Sequence, residues 1–135
     1  MEKTFKVTIY TPYGLYLNTE ADFLSTTSAV GVIGILPNHA PLISSLEISK
    51  LVIRRGSDEK LYASGGGVIN IKKDHSVTLL LESVERQDEI NLERALASKK
   101  RAEERLSEKT DEIDVKRAKA SLLRALNRIN VSDKN

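Results

Sequence analysis

Residues 88–106 read DEINLERALASKKRAEERL, and residues 111–129 read DEIDVKRAKASLLRALNRI. The two segments are offset by 23 positions and agree at 10 of their 19 positions. Neither contains glycine, proline or an aromatic residue, and both are rich in Ala, Leu, Glu, Lys and Arg, which are strong helix formers. The repeat therefore predicts two helices of similar design.

Apolar residues recur within each segment at three- and four-residue steps, the spacing of a single helix face. They are Leu92, Ala95, Leu96, Ala102 and Leu106 in the first segment, and Val115, Ala118, Leu122, Ala125, Leu126 and Ile129 in the second. Between the segments, Thr110 or Asp111 is suited to cap the second helix. The simplest packing is an antiparallel hairpin, which we expect to dock against another element because isolated helices of this length are marginal in water.

The repeat also places arginines in register between the two helices. The first helix carries Arg94, Arg101 and Arg105, and the second carries Arg117, Arg124 and Arg128. Steps of seven and eleven residues return to within about 20° of the starting direction, so each set forms one ridge. Two interpretations stay open: a solvated flank that pairs with acids such as Glu104 and Glu108, or a seat for phosphate or carboxylate, with the small alanines letting a planar ligand approach between the ridges.

Upstream of the repeat the sequence changes character. All glycines, prolines, phenylalanines and tyrosines precede residue 86. The segment Phe5–Tyr10 alternates apolar and polar side chains, as a strand with one buried face requires. Further strands are predicted at 15–18, 21–26, 31–36, 49–55, 60–64, 67–72 and 76–82. The sequence therefore predicts an α+β fold, with an N-terminal β-sandwich in residues 1–85 and a C-terminal antiparallel two-helix hairpin in residues 86–135.

Composition excludes several classes of function. The chain has no cysteine, and its two histidines, His39 and His75, lie far apart in sequence without a carboxylate cluster, so an enzyme active site and a metal site are not expected. A net charge of +2 does not suggest nucleic-acid binding. No apolar run approaches the roughly 20 residues that span a bilayer, so the cytoplasm is the expected compartment. Composition leaves open a sandwich scaffold whose helices bind an unrelated partner.

Four segments, taken together and in order, carry a resemblance to a known family. They are Thr11-Pro12 after the first strand, the run Gly34-Ile35-Leu36-Pro37-Asn38-His39-Ala40-Pro41-Leu42, the run Ser64-Gly65-Gly66-Gly67-Val68, and the stretch from Ile90 to Ala95 with the hairpin ending Arg124-Ala125-Leu126-Asn127-Arg128-Ile129. Over essentially its whole length the chain resembles the ε subunit of bacterial F-type ATP synthases.

The resemblance implies a non-catalytic subunit of the rotor, or central stalk, at the cytoplasmic face of the cell membrane. Its partners would be the γ subunit, the c-ring and, through an extended hairpin, the catalytic α and β subunits. In the family the folded hairpin permits ATP hydrolysis and the extended one inhibits it. The implied partner interface comprises Val32, Leu36, Pro37, His39, Pro41 and Leu42. Val32 stands where the family often has an acidic residue.

The resemblance also implies a nucleotide seat, because some bacterial members bind ATP through a motif Ile/Leu-Asp-x-x-Arg-Ala. No cofactor is then required, and ATP is expected only as a regulatory ligand. The matching residues here are Glu85, Ile90, Asn91, Arg94, Ala95, Arg101, Arg124 and Arg128. Asn91 replaces the usual aspartate with an uncharged amide, which donates as well as accepts hydrogen bonds.

Overall fold

The computed structural model describes residues 3–108 and 111–133 of the 135-residue chain. Within these ranges ten strands precede a 3-10 turn and two helices. The strands are β1 Phe5–Thr11, β2 Gly14–Ala21, β3 Phe23–Ser28, β4 Gly31–Ile35, β5 Leu42–Leu46, β6 Ser49–Arg55, β7 Asp58–Ser64, β8 Gly67–Ile71, β9 Val77–Leu81 and β10 Val84–Arg86. The 3-10 turn is Gln87–Glu89, and the helices are α1 Leu92–Glu108 and α2 Glu112–Ser132.

The strands form one sheet that curls around a shared apolar core. Their order is β10-β7-β6-β3-β5-β8-β9-β1-β2, with β4 paired to β3. β1 pairs with β9 in parallel, and the other pairings are antiparallel. Alternation along β1 buries Phe5, Val7 and Ile9, where they join the core residues Leu24, Ile35, Leu51, Ile69, Ile71 and Leu79. The predicted α+β fold, a sandwich followed by a hairpin, is confirmed.

Two strands were not predicted from the sequence. In β5, Ile43 faces outward while the neighbouring Ser44 is half-buried, so the apolar residue does not mark the core side. β10 is only three residues long, pairs with β7 and contains no fully buried side chain. β5 does bury Leu46 and pack Leu42 against the core, but the outward-facing Ile43 breaks its apolar alternation. β10 is too short to show a pattern, so neither strand gives the signal on which sequence patterns depend.

The two helices begin differently despite their repeat. Asp111 caps α2, its carboxylate accepting a hydrogen bond from the backbone N–H of Ile113 at 2.9 Å. The alternative predicted cap, Thr110, lies outside the described residues. The repeat partner of Asp111 is Asp88, which lies in the 3-10 turn and does not cap a helix. The first helix starts later, where the side-chain oxygen of Asn91 accepts a hydrogen bond from the backbone N–H of Arg94 at 3.1 Å.

The helix contact is made by alanines. Ala95, Ala102, Ala118 and Ala125 are only 1–2% exposed, and α1 packs along α2. The leucines of the predicted stripes are much less buried than the alanines, since Leu92, Leu96 and Leu126 stay 41–47% exposed. In this conformation the buried alanines leave no space between the helices for a planar ligand, while the two interpretations of the arginines stay open.

Candidate functional site

Residues 23–46 contain no Asp, Glu, Lys or Arg, in a chain where 30% of residues are charged. They supply β3, β4, β5 and the turns between them. We call residues 23–46 the uncharged segment. Large apolar side chains on it point into solvent, including Val32 at 75% and Ile43 at 73% exposure. An exposed apolar surface from which charges are excluded is typical of a protein–protein interface.

The six residues predicted for the partner interface all lie in this segment but differ in exposure. Val32, Leu36 and Pro41 are exposed, whereas Pro37, His39 and Leu42 are half-buried. The turn that carries His39 is fixed to the β8–β9 turn, since Nδ1 of His75 lies 3.0 Å from the carbonyl oxygen of His39. Three of the six predicted residues are thus accessible to a partner, and their contact with one stays a prediction.

A second apolar feature, absent from the sequence-based prediction, crosses four adjacent strands on the outer face of the sheet. Val68 pairs with Leu80, Leu80 with Tyr10, and Tyr10 with Leu15. We call these four residues the apolar row; they are 38–60% exposed. The row continues into the uncharged segment, because Ser45 of β5 is the partner of Val68. We call the apolar row and the outward-facing side chains of the uncharged segment together the docking face.

The predicted nucleotide residues occupy the junction between hairpin and sandwich. Nε of Arg128 donates to the Glu85 carboxylate at 2.5 Å, and both side chains are about one-third exposed, at 35% and 33%. Ile90 is half-buried, and Arg94 is exposed. Ala95 is buried in the helix contact, so its methyl group is closed to a ligand in this conformation.

Asn91 has a local structural role. It caps α1, and its own carbonyl oxygen accepts from the N–H of Ala95 at 3.0 Å. Asparagine and aspartate cap helices equally well, so the amide at this position does not weaken the start of α1. Its effect on a nucleotide would instead be one of charge.

Two serines that the sequence-based prediction passed over hold two of the arginines. The Arg101 side chain donates to Ser98 at 3.0 Å, and the Arg124 side chain donates to Ser121 at 3.2 Å. Ser98 and Ser121 are themselves repeat partners, 23 positions apart. In an antiparallel helix pair related by a two-fold axis, equivalent positions share one face, so both arginine ridges lie on the same side of the hairpin. That side has a high local density of guanidinium groups suited to anions.

The segment before α1 is tied firmly to the sandwich. The Tyr16 hydroxyl donates to Glu89 at 2.9 Å, and Glu89 also accepts from the backbone N–H of Arg86 at 3.1 Å. Burial, and then the Glu89 contact, raise the pKa of Tyr16 well above its usual value. The pKa of Glu89 is lowered, chiefly by the Arg86 N–H and then by Tyr16. These contacts hold the chain against the sandwich as far as Glu89.

A β-sandwich with an uncharged docking face and an arginine-rich hairpin at its edge defines a two-part binding subunit. The chain belongs to the ATP synthase delta/epsilon chain family: the family's β-sandwich domain matches residues 4–87, and its long α-helix domain matches residues 88–133. The resemblance inferred from the sequence is thereby confirmed. The chain is an accessory subunit rather than a catalytic one, as predicted.

Relatives cover almost the whole chain. The ATP synthase epsilon chain of Bacillus licheniformis is 39% identical over 130 residues, covering 96% of this chain and 98% of the relative. The epsilon chain of Bacillus thuringiensis is 47% identical over 131 residues, covering 97% and 98%.

Solved structures share the fold at low sequence identity. A chain of the Euglena gracilis mitochondrial ATP synthase, from an assembly of OSCP, F1 and c-ring, aligns with a TM-score of 0.80 at 17% identity, over 91% of this chain and 78% of that one. A chain from the central stalk and c-ring of the Tetrahymena thermophila enzyme aligns with a TM-score of 0.64 at 15% identity, over 98% of both chains. Neither helix in the described part of the chain is long and apolar enough to cross a membrane.

Proposed function

We propose that this chain is a central-stalk subunit of an F1Fo ATP synthase, which helps couple F1 to the c-ring and regulates ATP hydrolysis through its hairpin. Residues 1–85 would dock on the γ subunit and c-ring, and residues 86–135 would act as the regulatory element that reaches the α and β subunits. The protein would then be peripheral, at the cytoplasmic face of the cell membrane. The observation that carries the proposal is the docking face, which combines the exposed apolar row with the exposed apolar side chains of the uncharged segment.

The apolar nature of this surface supports permanent assembly rather than transient contact. Exposed apolar patches of this kind are costly in water, and their burial contributes about 25 cal/mol per Å². Relatives in solved stalk and c-ring assemblies share the fold, which supports the same setting for this chain. Purification of the tagged full-length protein from its own host tests the proposal directly. We expect the γ, α and β subunits to co-purify, and their absence from the eluate would end it.

Removal of the hairpin is expected to raise ATP hydrolysis by the assembled complex at low ATP concentration. The reason is that the extended helices would no longer be present to block the catalytic subunits. The measurement compares complexes carrying full-length chain with complexes carrying residues 1–89, a boundary that keeps the 3-10 turn and its Tyr16 contact intact. Equal hydrolysis rates in complexes of equal subunit content would exclude the inhibitory role.

The arginine side of the hairpin favours a second candidate function, a nucleotide-sensing module. Arg101, Arg124 and Arg128 are held by Ser98, Ser121 and Glu85, so three guanidinium groups are oriented before any ligand arrives. Oriented guanidinium groups bind phosphate with less loss of side-chain entropy than free ones.

Calorimetry with Mg-ATP tests this second candidate. We expect wild-type protein to bind and Arg94→Ala and Arg124→Ala each to weaken binding about tenfold, the size of one charge-assisted contact. Arg55→Ala is the matched control, because Arg55 is an exposed arginine at the end of β6 and lies outside both ridges. Wild-type protein that shows no heat of binding at millimolar nucleotide would rule the module out.

A further inference from the structure

The last turns of α2 carry polar contacts to the sandwich, and those of Asn127 and Gln87 belong neither to the arginine ridges nor to the family motif. Asn127 extends its amide from α2 to the sandwich, where Nδ2 donates to the carbonyl oxygen of Ser49 at 2.9 Å and to that of Ser64 at 3.3 Å. Ser49 and Ser64 face each other as the terminal pair of the β6–β7 ladder. One side-chain amide thus joins the hairpin to two strands at once.

The chemistry of this contact requires an amide. An Asn side chain offers two N–H donors on one nitrogen, which matches two converging carbonyl acceptors. A carboxylate of the same shape only accepts hydrogen bonds, so it would set a negative charge against two carbonyl oxygens. The contact is half-buried. An aspartate would therefore leave the carbonyl groups of Ser49 and Ser64 without a hydrogen-bond donor and partly removed from water, which is unfavourable.

Two further contacts fasten the same end of α2. Gln87 Nε2 donates to the carbonyl oxygen of Val131 at 2.8 Å, satisfying one of the carbonyl groups that a helix leaves unpaired at its C-terminus. Arg128 pairs with Glu85 of β10. These polar contacts all lie within residues 127–131, whereas the buried apolar residues near this end are the small Ala125 and Val131. The docked state of the hairpin thus depends strongly on polar contacts.

We propose that Asn127, supported by Gln87, is a latch that holds the hairpin against the sandwich, and that release of the hairpin begins at the C-terminal end of α2. The proposal rests on the hairpin motion that forms part of the proposed function, but it concerns the free subunit. A latch of hydrogen bonds suits a two-state element, because it contributes a limited free energy that a competing partner surface can exceed.

The docked fraction can be measured directly, because the chain has no cysteine and accepts a pair of introduced labels without background. Ser57→Cys in the β6–β7 turn and Lys116→Cys on α2 are both exposed positions for a pair of fluorophores or spin labels. We expect Asn127→Asp to raise the ratio of undocked to docked molecules at least about tenfold, seen as a longer label-to-label distance. Asn130→Asp is the matched control, since it makes the same change one helical turn away at an exposed position, and it should keep the wild-type distance.

A second variant separates undocking from loss of helix. Gln87→Ala weakens the same latch from outside both helices, so their sequence is unchanged, and it should also shift the ratio toward undocked molecules while far-ultraviolet circular dichroism keeps its helical signal. The proposal is overturned if Asn127→Asp protein stays docked like wild type. If Asn127→Asp instead melts the helices, Gln87→Ala decides, and a Gln87→Ala protein that stays docked overturns the proposal. Co-purification tests the proposed function, and the label distances in the free protein test the latch. The failure of one proposal can therefore be told apart from the failure of the other.

Discussion

Gly67→Ala is expected to destabilise the sandwich by roughly 3 kcal/mol or more, the range reached when backbone strain and a steric clash combine. Gly67 begins β8 with φ at +152°, a conformation that residues with a Cβ rarely adopt. A Cβ built there would lie 1.9 Å from the carbonyl oxygen of Leu80, which is backbone and has no rotamer through which to move away. Since β8 and β9 pair at this point, relief of the clash requires the two strands to separate.

Urea denaturation of the full-length protein measures this effect, with Gly56→Ala as its control. Gly56 also has a positive φ, +62°, but nothing lies within 4 Å of a Cβ added to it. The control should therefore cost only about 1–2 kcal/mol, the strain of the left-handed conformation alone. Equal loss of stability in the two variants would contradict the argument, because it would mean that the contact with Leu80 contributes nothing.

The parts of the fold that could be predicted from sequence are those where one side of an element faces the core and the other faces water. β1 alternates cleanly for this reason, and the two helices were predicted from their composition and repeat. β5 could not be predicted, because Ile43 faces outward toward an expected partner. The failure at β5 thus coincides with a proposed functional surface, where selection for binding competes with the simple pattern of buried apolar residues.

The candidate site also divides into features that the sequence reveals and features that it does not. The arginine ridges could be predicted because they follow helical spacing. The absence of charged residues from the uncharged segment can be read directly from the sequence. The apolar row was not visible, because the run Leu79-Leu80-Leu81 reads as a fully buried strand and does not reveal that Leu80 points outward. The contacts of Asn127 were also unpredictable, since they depend on two carbonyl groups more than 60 residues away in sequence.

Leu80→Glu is expected to abolish retention of the chain in the ATP synthase complex while leaving the free protein folded. In the free protein Leu80 is 53% exposed, so a carboxylate there keeps its water and should change stability by no more than about 0.5 kcal/mol. In the complex, Leu80 would lie at the centre of the docking face, between Val68 and Tyr10. A buried carboxylate without a positive partner costs several kcal/mol, which corresponds to a loss of affinity of at least about 100-fold.

The measurement is the amount of γ subunit that co-purifies with equal amounts of tagged wild-type and variant protein, after denaturation curves have shown the two to be equally stable. Ile113→Glu supplies the matched control, since Ile113 is a more exposed apolar residue, at 63%, near the start of α2 and outside the docking face. If Leu80→Glu retains γ as well as Ile113→Glu does, the apolar row is not the contact surface. If Leu80→Glu loses γ and Ile113→Glu retains it, the loss results from where the charge lies on the protein rather than from the added charge itself.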